Sequence, residues 1–392
     1  MKEQPASWAE QGMKARKKIA VVGVGAMGSM ALWQLAGRGH DVVGFDRMGV
    51  PHDTSAHGAE SRIFRLAYRE GKEYIPLLKR SLELWRELQS TSDRKFHYPI
   101  GCLYIGERDA DWLTGTIEGA REHDVRHEVL HEQELRRRFP QHRLDGGEFA
   151  LLDTDGALLR PELGVRAAVR AAQAAGATLH QGCAVERIVP QADGVAITVG
   201  GNTEHFDAAV VTCGAWGTRA IEGPSPQFIA RRLVGTWFGV DDVAAYLPER
   251  FPVCIRRTSE IDYSGFPSMD GWTIKVMPPV NFLSNIDPSR VDRTVSYEDT
   301  AIMRRVARTL LEGVDPEPVR SGVYLDGFTT DNHPIIDHHP ASERIVIAAG
   351  FSGHGYKMAP AVGVAVADLI DSGGDNYIRH HFSASRPTLQ AA

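Results

Sequence analysis

The stretch Gly23-Val24-Gly25-Ala26-Met27-Gly28, set in "KKIAVVGVGAMGSMALWQLAGRGHDVVGFDR", constrains this chain more than any other. The apolar run Ile19–Val22 reads as a buried strand and the glycines as a tight turn. Met27, Met30, Leu32 and Leu35 then form one face of a helix, and Val42–Phe45 a second strand. In such a βαβ unit each glycine has a task. Gly23 permits the turn, Gly25 lets the backbone approach a pyrophosphate, and Gly28 lets helix and strand pack closely, while the helix N-terminus offers free N–H groups to the anion. Asp46, at the end of the second strand, is placed to accept hydrogen bonds from a ribose. The spacing predicts a bound dinucleotide and leaves NAD and FAD both open.

A second glycine-rich strand-to-helix turn, "AAGFSGHGYKMAPAVG" at residues 348–363, separates the two cofactors. A nicotinamide dehydrogenase has no mechanical need for it. An isoalloxazine ring takes up negative charge on reduction, and a helix N-terminus aimed at that ring stabilises the charge. Gly350, Gly353 and Gly355 would let backbone N–H groups crowd onto the ring, with Lys357 entering the first turn of the helix. Two such turns in one chain favour FAD.

Between them the pattern alternates. Amphipathic helices are predicted over 73–89 and 161–176, followed over 177–216 by a strand, a meander and a returning buried strand. Residues 229–285 carry many aromatic and proline residues and no βαβ pattern, which predicts an antiparallel layer. The expected fold class is α/β, α+β overall: a Rossmann-like FAD-binding domain interleaved with an antiparallel-sheet substrate domain. The FAD-binding domain is assigned to 1–97, 152–228 and 328–392, with 1–17 as a disordered leader, and the substrate domain to 98–151 and 229–327. The length of 392 residues suits two domains.

Forty-four Lys plus Arg against fifty Asp plus Glu give a net charge of −6, which offers no electrostatic footprint for nucleic acid or an anionic membrane. Cys102, Cys183, Cys213 and Cys254 are far apart in sequence and read as reduced thiols, and "DHHP" with His338 and His339 reads as a solvated turn rather than a metal site. No apolar run is long enough to span a bilayer. A cytoplasmic monomer or small homo-oligomer is expected.

The blocks "GVGAMGS", "SRIFRLAYREGKEYIPL", "GFPSMDGWTIK", "DNHPIID" and "VIAAGFSGHGYK" resemble, in order and spacing, the monomeric sarcosine oxidase and N-methyltryptophan oxidase family of the D-amino-acid-oxidase superfamily. The resemblance runs from about residue 18 to "FSASRPTL". It implies an FAD-dependent oxidase whose small-molecule partners are a secondary amino acid and dioxygen. Flavin takes a formal hydride from the N–CH carbon, water hydrolyses the imine, and dioxygen returns the flavin to its oxidised form with release of hydrogen peroxide. The protein must then supply position, and a carboxylate is best held by a guanidinium fork plus an ammonium. The resemblance places Arg65 and Lys357 in that clamp, with Tyr263 and Asp326 on the substrate side. It assigns Lys275 to oxygen activation, where a fixed cation favours the developing superoxide, with Arg62 and His57 on the same side of the ring. It further implies FAD contacts from Ala26, Met27 and Arg47, from Val185 beside the adenine, and from Gly214 and Trp216 of "CGAW". At the second turn it adds His354 and Tyr356 to Gly353, Gly355 and Lys357.

Four departures from the family stand out. Tyr324 occupies the position of the cysteine that tethers FAD in sarcosine oxidases, so noncovalent FAD is expected. Asp326 replaces a pocket tyrosine and either favours a cationic or larger polar amine or faces solvent in a turn before Gly327. Pro279 replaces a histidine, and "HGAESR" is one residue longer than the usual segment. The competing reading is a flavin dehydrogenase that passes electrons from an amino acid or 2-hydroxy acid to a carrier, against which Lys275 argues. A flavin-binding sensor without turnover would have no use for Arg65, Lys357 and Lys275 together.

Overall fold

The computed structural model describes residues 15–52, 55–278, 284–372 and 376–389, so Pro279 and residues 1–14 of the expected leader lie outside the described residues. The strand Lys18–Val22 is buried from Ile19 onward and pairs in parallel on both sides, Ile19 lying opposite Ala208 on one neighbour and Val42 on the other. It therefore lies within a six-stranded sheet ordered Ile335–His339, Ser342–Ala349, Ala208–Val211, Lys18–Val22, Asp41–Asp46, Thr178–Gln181. Ile335–His339 alone in that sheet runs antiparallel to its neighbour. Chain leaving Lys18–Val22 goes to one side, and the strand on the other side arrives much later in sequence. A crevice consequently opens at the carboxyl end of Lys18–Val22, where open α/β sheets bind ligands.

The helix Ala26–Gly37 covers one face of this sheet and is crossed there by Ala359–Ser372, the helix that follows the second glycine turn. At the crossing a Cβ on Gly363 would stand 2.7 Å from the Met30 carbonyl, so no side chain fits and the two helices touch backbone to backbone. The helices expected over 73–89 and 161–176 form as Ile75–Ser90 and Pro161–Ala174. Trp85, Leu78 and Val165 join them to Met30 and Val362 in one apolar core. The opposite face of the sheet is closed by the meander Val185–Pro190, Val195–Val199 and Asn202–Phe206, whose Ile188, Ile197 and Phe206 pack on Ala20, Val22 and Val211.

The second large sheet has nine strands. Its path runs Ser284–Asn285, Ile229–Val240, Thr273–Met277, Asp262–Phe266, Val253–Arg257, Cys102–Glu107, Glu148–Asp153 and His127–Leu130, with Val314–Phe328 pairing along Ile229–Val240. All pairs are antiparallel except Val253–Arg257 with Cys102–Glu107. One face packs on the helix Tyr297–Leu310, which a Ser296–Asp299 capping box starts, through Met303, Val306, Phe238 and Ile274. On that face Arg256 is fully buried against Glu148, Nε to Oε1 2.9 Å and Nη2 to Oε2 2.7 Å. The other face looks toward the glycine turns, and between lies the site. Among the described residues no helix is long and apolar enough to cross a membrane.

Candidate active site

A cavity of about 1030 Å³ runs from the first glycine turn to the second, with part of its wall supplied by the nine-stranded sheet. At its first end Gly23 holds φ +86°, and its N–H donates to the Phe45 carbonyl at 2.8 Å. A Cβ on Gly28 would overlap the Gly23 carbonyl oxygen, so Gly28 locks turn to helix without facing the cavity. Gly25, Ala26 and Met27 do face it. The Asp46 carboxylate accepts the Val24 N–H at 2.8 Å through one oxygen and the Met48 N–H at 2.9 Å through the other. Arg47 lies 4.8 Å over the Trp216 ring, and Gly214, Trp216 and Val185 share this wall. The indole N–H of Trp216 is buried with no acceptor among the described residues.

His57 sits above Gly25, with Nδ1 2.8 Å from Ser55 Oγ and Nε2 buried with no hydrogen-bond partner among the described residues. Burial, reinforced by His52 and Arg62, pushes its ring down to about 3, so the imidazole is neutral. Arg62 lines the cavity while donating to the Ser61 and Ala56 carbonyls at 2.8 and 2.7 Å. In "HGAESR" two successive non-glycine residues adopt left-handed backbone, Ala59 at φ +74° and Glu60 at +63°. Carbonyls of this loop meet Lys275, whose Nζ donates to Ala59 O at 2.9 Å and Ser61 O at 2.6 Å. Lys275 thus stands behind the loop and off the cavity wall, 3.9 Å from the Phe266 ring, its amine held well below the usual lysine range by burial and then by Arg62. Glu162, which the sequence did not single out, props the loop by accepting the Glu60 N–H at 3.0 Å.

At the second turn Arg65, Lys357, Gly353, His354, Gly355 and Tyr356 all line the cavity. Lys357 Nζ donates to the His354 carbonyl at 2.7 Å, and burial followed by the nearby Arg65 lowers its proton affinity strongly. Its own carbonyl accepts from Ser81 and Trp85, which pins the turn to the helix Ile75–Ser90. His354 Nδ1 lies 2.7 Å from the Tyr68 hydroxyl, and burial pushes this ring down to about 4. The Tyr356 hydroxyl donates to the Pro161 carbonyl at 3.0 Å. Arg65 is 4 % exposed, and its Nη2 already donates to both oxygens of Glu70 at 2.6 and 2.7 Å. Burial opposes its charge, yet Glu70 holds it well above the usual arginine value. Glu70 was invisible to sequence reasoning because nothing local marks which acid meets Arg65.

Asp326 lies on the strand Val314–Phe328, opposite Arg231, and faces the cavity rather than solvent in a turn. Burial pushes its carboxyl up to about 6, against the Gly327 N–H and Arg62. Tyr263 is a correction. It is fully buried on the helix side of its sheet, its hydroxyl 3.5 Å from His142 Nδ1, whereas Asp262, Ser264 and Phe266 line the cavity. Alternation along a strand makes a one-residue misalignment a change of face. Tyr324 also lies off the wall, packed with Ala59 and Trp237. His339 is buried rather than solvated, Nε2 2.8 Å from Ser225 Oγ and Nδ1 accepting the Ala341 N–H; among the described residues no three metal-binding side chains cluster.

The chain matches the family described as FAD dependent oxidoreductase over residues 18–369. It is 33% identical over 361 residues to a monomeric sarcosine oxidase of Streptomyces avermitilis, covering 91% of this chain and 94% of the relative. It is 28% identical over 360 residues to an N-methyl-L-tryptophan oxidase of Salmonella arizonae, covering 90% and 94%. Among solved structures it is similar to the open form of NikD, an unusual amino acid oxidase essential for nikkomycin biosynthesis, with a TM-score of 0.82, 25% identity and coverage of 94% and 97%.

Proposed function

Since the chain belongs to the family of FAD-dependent oxidoreductases, we propose that it is an oxidase of a secondary, N-methyl or N-substituted amino acid that hands its electrons to dioxygen and releases hydrogen peroxide. The observation that supports this reading is the convergence of two buried basic side chains, the Arg65 guanidinium and the Lys357 amine, on the cavity wall at the second glycine turn.

The residues present fit FAD. Gly25 opens the first turn to the cavity, Asp46 retains acceptor capacity on both oxygens, and the buried unpaired Nε2 of His57 and Nε1 of Trp216 are polar atoms that a large polar ligand would satisfy. Val185 and Trp216 would hold the adenosine end, and the backbone of Gly353–Lys357 would hold the ring. When bound, FAD supplies the acceptor for the two electrons and the hydrogen leaving the N–CH carbon. The chain's own groups supply the rest. Arg65 exchanges Glu70 for the substrate carboxylate, and the arriving anion favours the protonated form of Lys357, which meets the same group. Ionised Asp326 draws the amine toward the turn. Leu233, Phe266 and Met277 give the intervening wall an apolar surface that excludes water. Arg62 on the wall supplies positive charge where dioxygen gains its first electron, and negative charge developing there favours the protonated form of Lys275 behind the loop.

The division into an FAD-binding domain of 1–97, 152–228 and 328–392 and a substrate domain of 98–151 and 229–327 is part of this proposal. So is noncovalent attachment. Cys183 and Cys213 line the cavity with Asp46, at the end away from the second turn, and Cys102 and Cys254 are buried in the apolar cores.

Oxygen consumption in the presence of N-methyl amino acids is expected to yield equimolar peroxide, and Lys275→Met is expected to slow flavin reoxidation by about a hundredfold while sparing anaerobic reduction. Electrons passed to a dye but not to dioxygen would make the protein a dehydrogenase, and unchanged reoxidation would remove Lys275 from the oxygen site.

Asp326 predicts a pH limb. Below about 6 its carboxyl is neutral and attracts no cationic amine, and above that it is charged, so kcat/KM should rise as pH passes through about 6. Asp326→Asn should remove that limb; its persistence in the variant would assign it elsewhere.

Acid precipitation of the holoenzyme should leave the yellow chromophore in the supernatant. Flavin that stays on the polypeptide would show a covalent link.

A further inference from the structure

Five charged side chains of alternating sign run along the cavity wall from the buried Arg65 outward: Arg65, Glu70, Arg69, Asp262 and Arg257. Glu70 Oε1 joins the first two guanidiniums, 2.6 Å from Arg65 Nη2 and 3.1 Å from Arg69 Nε. Farther out the spacing loosens. Asp262 Oδ2 stands 3.7 Å from Arg69 Nη1 and 3.9 Å from Arg257 Nε, both beyond hydrogen-bond length. Arg69 Nη1 is buried and has no hydrogen-bond acceptor among the described residues. Arg257, whose side chain is 51% exposed, sits directly across the strand register from Asp262, so the sheet itself fixes this pair.

Three guanidiniums share two carboxylates; once the first substrate carboxylate takes Arg65, Glu70 is left to Arg69 Nε, and the loose contacts of Arg69 Nη1 and Arg257 remain at the outer end. A buried donor without an acceptor is costly, and the wall can relieve that cost with a ligand oxygen. A cationic ligand group would meet Arg69 and Arg257 on either side of Asp262. A carboxylate finds the unpaired Arg69 donor and the exposed Arg257 fork, a planar match that guanidinium makes well. Burial also raises the Asp262 carboxyl despite the two arginines beside it.

We propose that Arg69 and Arg257 recognise a second carboxylate on the substrate, which makes the preferred substrate a dicarboxylic secondary amine, such as an amino acid with an N-carboxyalkyl group. This rests on the proposed function, with Arg65 and Lys357 holding the first carboxylate. The second carboxylate sets specificity without entering the chemistry, since it is held toward the mouth of the cavity.

The test uses holoenzyme and thioethers, in which sulfur replaces the reacting NH so that nothing is oxidised. Thiodiacetate and its longer homologue thiodipropionate are titrated against methylthioacetate, which has one carboxylate, by their perturbation of the flavin spectrum. The better diacid is expected to bind about tenfold tighter than the monoacid or more. Arg257→Gln should erase that margin, and Asp262→Asn, which removes the competing acid, should widen it. Equal binding of mono- and diacid by the unaltered protein would overturn the proposal, as would a margin that Arg257→Gln leaves intact. The two readings fail separately: turnover of N-methyl amino acids with no preference for diacids sinks only the second carboxylate, whereas absence of flavin reduction by any secondary amino acid sinks the function itself.

Discussion

The crossing of Ala26–Gly37 over Ala359–Ser372 at Met30 and Gly363 is the constraint on which the rest of the structure depends. Each helix begins at a glycine turn at the carboxyl edge of the same sheet, so the contact sets the separation of two helix N-termini that both face one cavity. A side chain at Gly363 would wedge them apart and shift one turn relative to the other. Two positive helix ends at fixed spacing suit a ligand with an anionic group near one end and a ring that gains electrons at the other. FAD, the cofactor of the family, has that form.

Charge is handled differently at the two ends. Near Asp46 the cavity is lined by backbone and by neutral polar side chains, His57 among them, whose burial keeps the ring uncharged. At the second turn the protein buries a cation, the Arg65 guanidinium, beside the Lys357 amine. Such groups tolerate burial only when paired, and Arg65 is paired with Glu70. The pair has a functional consequence. A substrate carboxylate can take the place of Glu70, because one anion replaces another, while an amine without a carboxylate leaves Arg65 with its internal partner and gains nothing from it. Under the proposed function binding energy is thereby reserved for amino acids, and Lys357, bonded to the His354 carbonyl, belongs to the same turn as Gly353 and Gly355.

Much of this architecture was legible in the sequence because it is written in local patterns. Gly23, Gly25 and Gly28 between an apolar run and a helical face define the first turn, and the helices at 75–90 and 161–174 follow from apolar periodicity and from Pro161 and Gly176. The family blocks carried the reading to individual residues such as Arg65, Lys357 and Asp326, all of which face the cavity. What failed depends on contacts between distant segments. The resemblance implies Tyr263 on the substrate side, and "DYSGF" alternates without showing which parity faces inward; that is decided by the helix Tyr297–Leu310 packed on the other side. The left-handed pair Ala59–Glu60 bends the loop whose Ala59 and Ser61 carbonyls meet Lys275, which no local signal announces. Glu70, Arg69, Asp262 and Arg257 come from separated segments, and only folding lines them up.

The central claim is that a carboxylate exchanged onto Arg65 at the second glycine turn places a secondary amine for oxidation. Anaerobic stopped-flow reduction of the bound flavin tests it most directly, comparing an N-methyl amino acid with the same amine lacking its carboxylate. The account predicts bleaching of the flavin by the amino acid and slower bleaching by the decarboxylated amine, by about a hundredfold or more, the scale on which loss of a charge-assisted pair acts. Equal rates for the two would contradict it.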